Sequence, residues 1–173
     1  IATTGTGVRS LVVYDIDENR NDRITVISMN GTTANTDITN SLGIDRMAMF
    51  LCGSGKINAG TITATAVTGG SIMAQMPTGQ GVTQQCIFHV PANAQFITEW
   101  LYINVLNRGK AAELQVKLWV YSPVNNGKQE VFRVNIDTQV TNTIDINPNL
   151  PFPISEKSVI WLEVTSDKND VEV

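Results

Sequence analysis

Residues Gln95–Tyr121 read QFITEWLYINVLNRGKAAELQVKLWVY, and their reading decides the fold class. In the first half, Phe96, Trp100 and Tyr102 fall on one face of an extended chain. Ile97, Leu101, Ile103 and Val105 fall on the other. Asn107–Lys110 is a short polar turn. Beyond it Leu114, Val116, Leu118 and Val120 alternate with Gln115, Lys117, Trp119 and Tyr121. This is the period of two of a pleated strand, built from β-branched and aromatic residues. The stretch is expected to be two long strands joined as a hairpin at the centre of the fold.

Working outward, the same pattern recurs. Ser10–Ile16 and Arg23–Met29 are strand-like and flank the polar turn Asp17–Asp22. Asn30-Gly31 follows, a strong hairpin signal because both central positions of such a turn need positive φ. It predicts a return strand over Thr32–Thr39, near an edge. Further strands are expected over Arg46–Cys52, Gly60–Val67, Ser71–Met76, Val82–Val90, Glu130–Val140, Thr141–Ile146 and Val159–Thr165. Asn147–Pro153 carries three prolines and cannot be a central strand. Ser166–Val173 reads as a loose charged tail. About ten strands at short spacing with no amphipathic helix predict an all-β protein. The expected form is an antiparallel two-sheet sandwich, jelly-roll-like. No repeat or linker interrupts the chain, so residues 1–173 are expected to form a single domain.

Composition narrows the function classes. The chain has 173 residues, enough for a proper core, and 42% of them are apolar. Only 16% are charged, so Thr, Asn, Gln, Ser and Gly must cover much of the surface. Neutral polar groups cost less to desolvate than charges, which suits contact with other subunits. The net charge is −4 and no basic run is present, so nucleic acid has no electrostatic footprint here. No apolar run approaches the ~20 residues of a membrane-spanning helix. The start, Ile1-Ala2-Thr3-Thr4, is neither an initiator Met nor a signal peptide, so an N-terminal segment is expected to be trimmed or missing.

No stretch carries a catalytic set. His89 is the single histidine, and no nucleophile elbow accompanies it. It reads as a strand residue. Cys52 and Cys86 read as two buried free thiols, and with His89 they do not supply the ligands of a zinc site. Asp15, Asp17, Asn19 and Asn21 have the alternating spacing of a calcium loop. Arg20 stands where that loop needs Gly, and Val26 where it needs Glu. A solvated hairpin turn is the better reading, with a weak surface Ca²⁺ site as the alternative. Gly53-Ser54-Gly55-Lys56 lacks the rest of a phosphate-binding loop. Catalytic, cofactor and metal residues are therefore expected to be none. Trp100, Trp119 and Trp161 are candidates for a carbohydrate platform, against the reading that they pack in the core.

Five short stretches occur in a telling order: Gly5-Thr6-Gly7-Val8-Arg9, Tyr14-Asp15-Ile16-Asp17, Thr25 to Asn30-Gly31-Thr32-Thr33, Gly43-Ile44-Asp45-Arg46, and Asn58-Ala59-Gly60-Thr61-Ile62-Thr63. Together they resemble a family of virion structural proteins of tailed bacteriophages, over roughly residues 5–90. The resemblance implies a non-enzymatic particle component on the phage head. It implies a capsid decoration (cement) protein or a fibre base, often a trimer of β-sandwich subunits clamping neighbouring capsomers. The implied partners are the major capsid protein and further copies of the chain, with no cofactor, nucleic acid or membrane. A tail fibre or glycan-binding receptor module is the alternative.

Overall fold

The computed structural model describes residues 7–99, 101–104, 112–124, 126–138, 143–146 and 152–167. Among them every regular element is a strand, and every pairing is antiparallel. The packing divides the chain into two compact units, Ile1–Cys86 and Ile87–Val173. The sequence, which suggested one domain, gives no warning at that point. Cys86 and Ile87 lie inside a predicted strand, with no Gly or Pro to mark a boundary.

The first unit is built on β1 (Val8–Ile16), β2 (Asp22–Ser28) and β3 (Gly43–Cys52), in the order β2-β1-β3. A hairpin of β4 (Ile62–Thr65) and β5 (Ile72–Met76) supplies the second layer. Alternation in β1 turns Leu11 and Val13 inward. They meet Ile27, Ile44, Met47, Ala74 and Met76, with Met29, Ile38, Met49 and Met73 closing the rim. Each such aliphatic side chain contributes about 1.5–3 kcal/mol when fully buried. Two buried polar groups tie the loops to this core. Thr83 accepts from the Met47 N–H at 3.0 Å, and its own N–H donates to the Met47 carbonyl at 2.9 Å. Asn58 donates to the carbonyls of Gly60 and Pro77 and accepts from the Gly81 N–H.

The second unit has a four-stranded sheet in the order β10-β9-β13-β6, made of β6 (Ile87–His89), β9 (Glu113–Ser122), β10 (Gly127–Asp137) and β13 (Val159–Ser166). Two short pairs accompany it: β7 (Phe96–Thr98) with β12 (Phe152–Ile154), and β8 (Leu101–Asn104) with β11 (Thr143–Ile146). Leu114, Val116, Leu118 and Val120 form the inward face of β9. Phe96, Phe152 and Ile154 pack against one end of that face, and Ile103 against the other. Two layers with a shared apolar interior make a β-sandwich arrangement.

Several expectations need correction. The stretch 95–121 is not a self-paired hairpin in its described part. Its first half pairs with Thr143–Ile146 and Phe152–Ile154, and β9 pairs with β10 and β13. The alternation also differs between its two described strands: Phe96 in β7 and Leu101 and Ile103 in β8 turn inward, leaving Ile97 and Tyr102 exposed. Trp100 and the turn Asn107–Lys110 lie outside the described residues, as does most of the tail. The return strand over 32–39 does not form. Asn30-Gly31 makes a tight turn, with the Thr33 N–H on the Asn30 carbonyl, and the chain beyond it runs irregularly. Ile38 is its one large aliphatic anchor, too little to hold a strand on the sheet. Cys52 and Cys86 are free but exposed rather than buried. Cys52 closes an edge strand whose end, with Phe50 and Leu51, turns to solvent.

Candidate functional site

Two sheet faces point away from the cores, and they differ in chemistry. On the first unit, Val12 stands opposite both Val26 and Ala48, and Tyr14 stands opposite both Ile24 and Arg46. Opposite residues of an antiparallel pair share a face. The result is an apolar stripe on the side away from Leu11 and Val13. Ile24 is 65% exposed and Val26 53%. Phe50 and Leu51 extend the stripe beyond a register shift in β3. The Arg46 guanidinium lies 5.9 Å from the Tyr14 ring centre.

On the second unit, the odd-numbered residues of β9 face outward. Trp119 stands opposite Trp161 on β13. Their ring centres are 6.4 Å apart and their planes differ by 18°. Lys128, on the edge strand β10, reaches across both rings. Its Nζ lies 3.8 Å from the Trp119 centre and 5.1 Å from that of Trp161. Both distances are within cation–π range. Tyr121 borders the pair, and its hydroxyl donates to Asn126 Oδ1 at 2.9 Å. Among the described residues the buried indole N–H of Trp119 has no acceptor. A charged row lies next to the indoles. Arg133 holds Glu130 through two hydrogen bonds of 2.8 and 2.7 Å, and Lys117 meets Glu163 at 3.5 Å. The Arg133 hydrogen bonds lower the Glu130 pKa below the ordinary glutamate value.

The other candidate groups have structural partners. Asp15 is buried and receives Arg23 Nε at 3.2 Å and Nη2 at 2.6 Å; the same Nη2 donates to the Thr39 carbonyl. Asp17 accepts from the backbone N–H groups of Asn19 and Asn21, both at 2.8 Å. These bonds hold its pKa below the usual aspartate value, the Asn21 N–H being the largest cause. Asp15–Asp22 is thus a hairpin turn in which the Asp15 and Asp17 carboxylates are engaged by N–H donors, with Arg20 taking the positive φ. Gly53–Lys56 is a tight turn closed by the Lys56 N–H on the Gly53 carbonyl. His89 is buried in β6 opposite Val159. Among the described residues no three His, Cys, Asp or Glu side chains gather in a metal-binding group.

The structure therefore brings together Trp119 and Trp161 of the three sequence candidates. Sequence reading missed Lys128, whose position over the rings depends on the β9–β10 register. It also missed the outward stripe of β2. The signal was present, since Ile24 and Val26 as well as Ile27 and Met29 are apolar, so both faces of that strand are. Comparison with protein-family models, curated proteins and solved structures finds no match to this chain.

Proposed function

We propose that this chain is a non-enzymatic structural protein of a tailed-phage virion, a capsid decoration protein of the head surface. In this reading it binds the major capsid protein and associates with further copies of itself, a trimer being favoured. The motif order of residues 5–63 supports the phage assignment. The observation that carries the structural role is the open apolar face of the first unit, where Tyr14, Ile24, Val26, Phe50 and Leu51 are all solvent-exposed. A contiguous apolar surface of this kind marks a place where another protein sits.

The test combines particle composition with hydrodynamics. The chain should be present in stoichiometric amount in purified virions, and the isolated chain should sediment as an oligomer. Ile24→Lys together with Val26→Lys should abolish both while the strand content stays unchanged. A wild-type chain that is monomeric at high concentration and absent from particles overturns the proposal.

A further inference from the structure

We propose that the outward face of the second unit binds an acidic saccharide, on a platform made by Trp119 and Trp161 with Lys128 as the anion contact. This inference does not depend on the virion assignment. Two observations carry it. The indoles are nearly parallel, half-buried neighbours on the sheet face that points away from the core. Aromatic planes of this kind take the C–H face of a sugar ring, while a polar rim takes its hydroxyls. Here the rim is Tyr121, Asn126 and Glu130.

The second observation concerns charge. Glu130 is engaged by Arg133, and Glu163 by Lys117. Among the described residues Lys128 pairs with no carboxylate; its contacts are the two rings. A second cation arriving at the rings would meet the Lys128 ammonium, so a cationic ligand is disfavoured. A carboxylate would meet an ammonium that lies over the rings on a flexible stem, where a charge-assisted hydrogen bond can form.

The test uses the full chain and follows indole emission and binding heat. Titrants are a uronic acid oligosaccharide, sialyllactose, a neutral glucose oligosaccharide, and acetate as an anion without a sugar ring. An acidic sugar should shift the emission and saturate. Lys128→Gln, on an exposed edge position, should weaken that binding at least ~10-fold, the size expected for loss of one charge-assisted bond. Trp161→Phe should weaken it while leaving the sheet folded, checked by circular dichroism. The proposal fails if no acidic sugar binds at millimolar concentration. It fails equally if acetate or the neutral sugar binds as well as the acidic ones, or if Lys128→Gln retains wild-type affinity.

Discussion

All five methionines lie in the first unit, and all three tryptophans lie in the sequence of the second. The first unit fills its core with Met47 and Met76, rimmed by Met29, Met49 and Met73. The second fills its core with Leu114, Val116, Leu118, Val120, Ile136 and Ile160. Unbranched thioethers adapt to irregular space, whereas branched aliphatics lock into fewer rotamers. The outward faces differ too. The first is apolar and exposed, and the second carries a half-buried indole pair, a lysine and ion pairs. The same alternation of two residues therefore yields one face that lacks a covering layer and one that already has its chemistry in place.

The sharpest way to break this comparison is to damage one core and watch the other. Leu114→Ala empties a site that is wholly buried in the second unit. It should cost about 2–5 kcal/mol. Tryptophan fluorescence reports the second unit alone, so that transition should move to lower denaturant. Leu11→Ala should cost a similar amount in the first unit and leave the fluorescence transition in place. If both variants shift the fluorescence midpoint equally, the two units unfold as one and the division fails.

A second variant probes the polar interior of the first unit. The Asp15 carboxylate is fully buried, while the Arg23 side chain is 31% exposed. Arg23→Ala strands that carboxylate. Removing one partner of a buried pair costs about 3–5 kcal/mol, and the exposure of Arg23 puts this case at the lower end. The arginine also releases the Thr39 carbonyl, so protease cleavage near residue 39 should accelerate. A midpoint within experimental error of wild type would show that the pair adds nothing.

Gly81→Ala comes next in size. Gly81 sits at φ +72°, and an added Cβ would lie 2.8 Å from Met49 Cε. The left-handed backbone alone costs about 1–2 kcal/mol for a residue with a Cβ. The methionine end can swing aside, so the steric part is small. Gly81→Ala should lower the midpoint of the first unit by that amount and leave tryptophan emission unchanged.

The strands were legible because burial of one face imposes a period of two on the sequence. β1, β9 and β13 could be read almost to the residue. What could not be read was which strand pairs with which. β8 carries the same alternation whether its partner is β9 or β11, since alternation records facing and not neighbours. The failure over 32–39 has another cause. The Asn30-Gly31 turn is local and formed, but a turn does not supply the apolar side chains a return strand needs. The indole site was half legible for the same reason as the pairing. Trp119 and Trp161 could be named, but their adjacency and the reach of Lys128 follow from register alone.

Acid titration separates the two units with the smallest expected effect. In the first unit Asp17 has its pKa lowered by hydrogen bonds, and Asp22 has its pKa raised, first by desolvation and then by Asp45. A raised carboxyl disfavours the folded state when ionised. As pH falls through its folded pKa toward the ordinary value near about 4, that penalty disappears. A lowered carboxyl acts in the opposite sense. Its stabilisation is present above about pH 4 and is lost as pH falls further toward its folded pKa. The contributions of Asp17 and Asp22 to the first unit should therefore rise slightly down to about pH 4 and then fall. In the second unit the lowered Glu130 contributes only a fall, through loss of its Arg133 partner. Asp22→Asn should remove the rise and Asp17→Asn should flatten the fall, each read as a thermal midpoint against pH. Because these groups lie near the surface, the shifts should shrink in high salt, and shifts that persist there would point to a buried group instead.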